Sequence, residues 1–258
     1  MSRIVNALLL AAGFGTRLLP ITAKIPKCMV SLAGKPLLAH WLEILLPNHV
    51  DRVVINTHYL PEVVRSFVAE SPWAGRIQLV HEEVLLGTAG TIRENRAYLA
   101  QGPMFIAHAD NASRFSMQDF VAAFHARPAG CIGTMMTFDS ENPGSCGIVE
   151  LDSRNRVIGY HEKVQEPPSN RANAAVFLFD PGVYDLMAQW PKVTDFCGEF
   201  VPHLLGKINT FHNKIYHRDI GTPDSYQRAV EDWGCDAEAS GQPLAAHAAR
   251  SSTRNGSF

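Results

Sequence analysis

Ile4 to Ala12 is an almost unbroken apolar run, the pattern of a strand buried on both faces. It ends in Gly13-Phe14-Gly15-Thr16-Arg17. After Gly34-Lys35-Pro36, the segment 37–46 places Trp41, Leu42 and Leu45 on one side of a helix. Val53-Val54-Ile55-Asn56 reads as a second buried strand, 60–68 as a helix, 77–80 as a third strand and 88–99 as a helix. Met104 to Ala107 is a fourth strand that runs into His108-Ala109-Asp110-Asn111, and Ser116 caps a helix through Phe124. This alternation predicts a parallel, doubly wound sheet with right-handed crossovers. Ligands of such sheets sit beyond the carboxyl ends of the strands. Gly13 to Arg17 and Asp110 both fall at such ends, so the pattern allows them to share one site.

The second half is richer in strands. The pattern predicts them at 131–138, 147–151, 156–162 and 174–179, with the turn cluster Asp152-Ser153-Arg154-Asn155 between two of them. Helices follow at 182–187, 199–205 and 223–233. The stretch 234–258 is rich in Ala, Ser, Gly and Arg without periodicity and reads as a disordered tail. No internal repeat is present.

Composition narrows the class. The 258 residues are 46% hydrophobic and 19% charged, enough apolar content for a sizeable core. A net charge of −2 provides no field for nucleic-acid binding, though a local site for a small anion remains open. No apolar stretch approaches the roughly 18 residues of a membrane span. The five cysteines are scattered without a C-x-x-C pair, which argues against a disulfide framework or zinc knuckle and fits a reducing cytoplasm. The eleven histidines show no tight metal-ligand spacing.

Gly13-x-Gly15-Thr16-Arg17 after a buried strand is a candidate phosphate cradle, because glycines permit close backbone approach and successive N–H groups form an anion nest. The spacing matches neither a Walker A loop nor a dinucleotide fingerprint. Alone, the loop is equally an ordinary strand-to-helix turn. Arg17 and Lys27 shift the balance, since a guanidinium fork and a compact ammonium are what phosphate oxygens need.

These residues carry a resemblance. Leu9-Leu10-Ala11-Ala12-Gly13-Phe14-Gly15-Thr16-Arg17-Leu18-Leu19-Pro20, Pro26-Lys27 and Gly34-Lys35-Pro36 are similar to the opening of the sugar-1-phosphate nucleotidylyltransferases. The likeness continues at Leu86-Gly87-Thr88-Ala89-Gly90, Asp110, Glu162-Lys163, Asn173 and Asp219-Ile220-Gly221-Thr222-Pro223. It implies an α/β fold: a Rossmann-like (GT-A-like) three-layer sandwich with a mixed, mostly parallel central sheet. It also implies a nucleotide-binding half over about 1–125 and a sugar-phosphate half over about 126–233. The implied reaction joins an NTP and a sugar 1-phosphate into an NDP-sugar, a glycan precursor, and releases pyrophosphate with Mg²⁺. No covalent intermediate is required, so catalysis is positioning and charge neutralisation.

The resemblance implies roles residue by residue. Leu10, Ala12, Gly13, Gly15 and Thr16 wrap the nucleotide. Arg17 and Lys27 are the catalytic cations, on the leaving pyrophosphate and the α-phosphate. Asp110 and Asp219 hold Mg²⁺, Lys163 grips the sugar phosphate, and Glu162 and Asn173 face sugar hydroxyls. Gly87 and Thr88 border the base. The chain departs from the family pattern at Cys28, where Pro is usual, at Asn111, at Val164, where the usual Glu-Lys-Pro ends, and at Ala175, where Gly is common. Cys28 beside a cationic site is a candidate reactive thiol, and the Ala175 methyl is expected to crowd the sugar pocket.

Where pyrimidine-using relatives carry Gln, this chain has Glu82 or Glu83. A carboxylate accepts hydrogen bonds, and guanine presents N1–H and N2–H₂ together, so GTP is the expected nucleotide with a mannose- or heptose-type sugar phosphate. A UTP- or dTTP-dependent enzyme acting on MurNAc- or glucose-type phosphates is the alternative. No hexapeptide repeats follow residue 233, which predicts a single activity. The second-half strands leave self-association open. A non-catalytic NDP-sugar-binding subunit is disfavoured because Arg17, Lys27 and both aspartates are present. A glycosyltransferase is disfavoured because Asp110-Asn111-Ala112 lacks the second carboxylate of Asp-x-Asp.

Overall fold

The computed structural model describes residues 4–47 and 50–239. In chain order the elements are β1 (Ile4–Leu10), a small hairpin of β2 (Ser31–Leu32) and β3 (Lys35–Pro36), α1 (Leu37–Leu45), β4 (Val50–Thr57), α2 (Pro61–Glu70), β5 (Ile77–His81), α3 (Gly87–Glu94) and α4 (Arg96–Leu99). Then come β6 (Met104–His108), β7 (Asn111–Arg114), α5 (Met117–His125), β8 (Gly133–Asp139), β9 (Gly147–Leu151), β10 (Val157–Glu162) and β11 (Arg171–Phe179). The last are α6 (Val183–Met187), β12 (Ile208–His212), β13 (Tyr216–Asp219) and α7 (Pro223–Ala239).

One sheet organises the molecule. β5, β4, β1 and β6 lie side by side and run parallel. β11 joins antiparallel to β6, and β8 pairs antiparallel with β11 and parallel with β12. β1 alternates between two apolar layers. Ala7 and Leu9 pack with Trp41, Leu42 and Phe105 on one face, while Leu8 and Leu10 pack with Ile92, Phe177 and Phe196 on the other. The expected three-layer, mixed α/β sandwich is therefore present, with helices and turns covering both faces.

Three local expectations change. The expected helix 88–99 breaks at Asn95, whose side-chain amide donates to Thr91 O at 2.9 Å and competes with the backbone ladder. The expected helix 199–205 is a π turn (Phe196–Phe200) followed by a 3₁₀ turn (Val201–Leu204), where Pro202 cannot donate a helical hydrogen bond. α7 continues to Ala239, so the first part of the expected disordered tail is helical. The remainder, 240–258, lies outside the described residues.

Topology gathers one edge. β1, β4, β5 and β6 end together in register, with Leu10 opposite both Asn56 and His108, and Thr57 opposite His81. β11 runs the other way, with Val176 opposite Ala107, so Asn173 projects past that same edge. Ala172 pairs with Ile148, and Gly147 with Glu162, which brings the ends of β9 and β10 there too.

Candidate active site

The centre of this edge is a three-residue ionic cluster. Lys27 follows Pro26 in a short 3₁₀ turn, and its side chain is only 7% exposed. Its ammonium donates to Asp110 Oδ2 at 3.0 Å and to Asp219 Oδ1 at 2.9 Å. Burial opposes both charges, yet the Lys27 ammonium holds Asp110 below the usual carboxylate range. Burial likewise opposes the ammonium, and the two carboxylates outweigh it and hold Lys27 above its ordinary value. Lys27 and Asp110 thus keep their charges through the neutral range.

The distant Asp219 arrives through a ladder that the sequence pattern does not announce. β13 pairs antiparallel with β7, placing Asp219 opposite Asn111, the neighbour of Asp110. Trp41 Nε1 donates to Asn111 O at 3.0 Å and pins that strand to α1. Gly221 N donates to Asp219 Oδ1 at 2.8 Å. A Cβ at Gly221 would sit 2.9 Å from Arg17 Nη2, so glycine there makes room for the guanidinium. Arg17, 70% exposed, lies 3.7 Å from Asp219 Oδ2 and is free to swing toward an anion.

The glycine loop closes over Lys27. Gly15 has φ 65°, and a Cβ there would meet Thr22 Cγ2 at 3.0 Å and Lys27 Cβ at 3.1 Å. Thr22 Oγ1 donates to Gly15 O at 2.8 Å. Gly13 and Thr16 are exposed on the open side, and a Cβ at Gly13 would meet nothing within 4 Å.

A cleft of about 250 Å³ runs from this cluster along the strand ends. Of the expected nucleotide residues, Leu10, Ala12, Gly13, Glu82, Gly87 and Thr88 line it, together with Lys27 and Asp110. Gly15 and Thr16 flank it without lining it. Sequence reasoning missed Asn56, Thr91 and His108, which also line it. Asn56 is the polar end of an apolar strand, and that break in pattern was the available signal. His108 Nε2 is buried and has no partner among the described residues, a polar atom turned to the cleft wall.

Two expectations are corrected here. Glu82 does not offer a free carboxylate to a base. Oε1 accepts from Asn56 Nδ2 at 2.9 Å and Thr91 Oγ1 at 2.6 Å, and Oε2 accepts from Leu86 N at 3.1 Å. Glu83 is exposed and lies outside the cleft lining. Cys28 is not a poised nucleophile, because burial and then the Asp110 charge push its thiol up to about 12.

Glu162, Lys163 and Asn173, the residues expected to face a sugar phosphate, lie together around Tyr160, which was not foreseen. Tyr160 Oη donates to Glu162 Oε2 at 2.8 Å, and Asn173 Nδ2 reaches the same hydroxyl at 3.3 Å. Lys163 Nζ lies 3.2 Å from Glu162 Oε1. Lys163 has φ 50°, a left-handed backbone that an ordinary residue adopts at a cost, and its N–H donates to Cys146 O at 3.0 Å. Ala175 also has positive φ, at 53°, and its N–H donates to Asn173 Oδ1 at 2.9 Å. Its methyl packs into the apolar layer with Phe177 and Phe196. The segment Thr194 to Gly198 joins the two sides. Phe196 N donates to Thr88 Oγ1 at 2.7 Å, and the Cβ position of Gly198 lies 3.6 Å from Glu162 Cγ.

Asp110 and Asp219 are hard oxygen donors already drawn round one cation, so the pair fits a dication such as Mg²⁺ with water and phosphate completing its shell. Among the described residues there is no group of three or more His, Cys, Asp or Glu side chains arranged for a metal. No helix among the described residues is long and apolar enough to cross a membrane.

Comparison with known proteins bears on this geometry. The profile of the nucleotidyl transferase family matches residues 6–234. The mannose-1-phosphate guanylyltransferase catalytic subunit beta of Dictyostelium discoideum is 32% identical over 228 residues, covering 86% of this chain and 62% of that protein. The mannose-1-phosphate guanylyltransferase of Mycobacterium tuberculosis is 30% identical over 233 residues, covering 88% and 64%. The chain spans a little under two thirds of the length of these relatives. Among solved structures, a putative glucose-1-phosphate thymidylyltransferase from Bacillus anthracis superposes with a TM-score of 0.77 at 20% identity, covering 89% of this chain and 95% of that one. HddC from Yersinia pseudotuberculosis, complexed with GMP-PN, gives 0.73 at 23%, covering 89% and 99%. At these identities the structural likeness speaks to the fold.

Proposed function

The chain belongs to the nucleotidyl transferase family, and from that premise we propose that it transfers the nucleoside monophosphate of an NTP to a sugar 1-phosphate. A phosphate oxygen of the sugar attacks the α-phosphorus, the α–β anhydride bond breaks, and pyrophosphate leaves carrying that electron pair. The observation that supports this reading most is the convergence of Lys27, Asp110, Asp219 and Arg17 beside an open glycine loop.

In this reading the loop N–H groups from Gly13 onward cradle the triphosphate. Lys27 neutralises charge on the α-phosphate as it is attacked, and Arg17 turns from Asp219 to the departing pyrophosphate. Asp110 and Asp219 hold Mg²⁺, which when bound screens the phosphates from one another. Lys163 takes the phosphate of the sugar substrate, and the Tyr160–Glu162–Asn173 network presents a fixed acceptor and amide to the sugar hydroxyls. Backbone groups of Gly87 and Thr88 read the base, since Leu86 N–H already donates to Glu82 Oε2.

The relatives named above favour GTP and mannose 1-phosphate as the pair. The four free cysteines among the described residues are in keeping with a cytoplasmic setting. Pyrophosphate release measured for GTP, UTP, dTTP and CTP against a panel of sugar 1-phosphates tests the proposal. Release is expected with GTP and a mannose- or heptose-type phosphate, and a pyrimidine preference would refute the guanine assignment. Silence across the whole matrix would refute the reaction.

A further inference from the structure

A continuous polar network crosses three neighbouring strand ends beneath the cleft. At the exit of β1, Ala11 N donates to Asn56 Oδ1 at 2.7 Å. Asn56 Nδ2 donates to Glu82 Oε1 at 2.9 Å, just beyond β5. The Thr91 hydroxyl of α3 adds its proton to the same oxygen at 2.6 Å. Leu86 N, in the loop before α3, donates to Glu82 Oε2 at 3.1 Å. Asn56, Glu82 and Thr91 are all buried. Every group around Glu82 is a donor, so a carboxylate, with acceptors and no donor of its own, matches the set.

We propose that Glu82 is a positioning residue: acting through Asn56, it fixes the spacing between the glycine loop that starts at Ala11 and the Leu86–Thr88 loop, so that one nucleotide spans both. The inference rests on the nucleotide-binding reading above and deepens it. Glu82 itself touches no base. It sets the distance that a nucleoside triphosphate must bridge, whatever its base.

The network predicts a polarity swap. Glu82→Gln brings an N–H₂ against either Leu86 N–H or the Asn56 amide, leaving a buried donor unpaired. Asn56→Asp sets two carboxylates face to face. In the double variant the new carboxylate at position 56 still accepts from Ala11 N. The new amide at position 82 donates its N–H to that carboxylate, and its carbonyl oxygen accepts from Leu86 N. Each single change should therefore weaken nucleotide binding by roughly 5- to 100-fold, the range for one unsatisfied buried polar group. The double variant should return to within about 3-fold of the parent by the same scale.

The test is titration calorimetry of the full chain with GTP, UTP, dTTP and CTP, for the parent, both single variants and the double variant, at a temperature where circular dichroism shows each to be folded. Recovery in the double variant, with the order of preference among the four nucleotides unchanged throughout, supports the positioning role. Two results overturn it: Glu82→Gln reordering the nucleotides without recovery on adding Asn56→Asp, which makes Glu82 a base contact, or single variants that lower thermal stability while binding as the parent does. If the parent bound none of the four nucleotides, the functional reading itself would fall, a result distinct from loss of recovery in a parent that binds.

Discussion

Lys27→Met removes one ammonium while keeping most of the buried stem, and its consequences can be worked from the cluster. Breaking a fully buried ion pair costs about 3–5 kcal/mol. Here the Asp110 and Asp219 side chains are 34% and 54% exposed, so water re-solvates them and the cost falls to about 1–2 kcal/mol. For a domain of this size that lowers the melting temperature by roughly 2–8 °C. Turnover should suffer far more, by about 10²–10³, the loss seen when one preorganised donor to a developing charge is deleted. A third effect has the opposite sign. The ammonium repels any dication approaching the two carboxylates, by about 2 kcal/mol at 4 Å even with the dielectric of water. Its removal should therefore tighten binding of Mn²⁺ without nucleotide by about 30-fold. Steady-state pyrophosphate release and electron paramagnetic resonance titration with Mn²⁺ read the two effects separately. A variant that turned over within 3-fold of the parent and bound Mn²⁺ no better would refute this account of the cluster.

Gly147→Ala puts a methyl 2.0 Å from Tyr160 Oη and 2.7 Å from Glu162 Oε2, so KM for the sugar phosphate should rise at least about tenfold while nucleotide affinity, by calorimetry, holds. Gly87→Ala sets a Cβ 2.5 Å from Thr194 O at φ 72°, and should cost about 2 kcal/mol of stability by urea unfolding and weaken nucleotide binding as well. The Cys28 thiol, pushed up to about 12, should react with a disulfide reagent at pH 8 at least about tenfold more slowly than in the urea-unfolded chain, and equal rates would contradict its burial.

The parallel block of the sheet was legible because each strand is a compact apolar run followed by a helical period. The expected 147–151 strand has the same bounds in the structure. β7 and β13 were not legible. Asn111–Arg114 and Tyr216–Asp219 are four-residue polar segments without alternation, and only their pairing with each other makes them strands. That pairing carries Asp219 to Asp110, so the resemblance named both carboxylates while the route between them came from the fold. The sequence leads one to expect Lys27, Asp110 and Asp219 to meet a ligand. Their contact with one another is a structural finding. Glu82 stands out in the sequence for its charge, but its partners come from β4 and α3, elements remote in sequence, and they turn it from a base contact into a brace.

The most direct measurement follows a label through the reaction. GTP labelled at the α-phosphate, incubated with mannose 1-phosphate and Mg²⁺, should pass its label into the nucleotide sugar, while label at the γ-phosphate should appear as pyrophosphate. Both transfers should stop on chelation and in Asp219→Asn. Release of γ-label as inorganic phosphate, or α-label transfer that survives both treatments, would contradict the claim that Lys27 and the two carboxylates act together on the triphosphate.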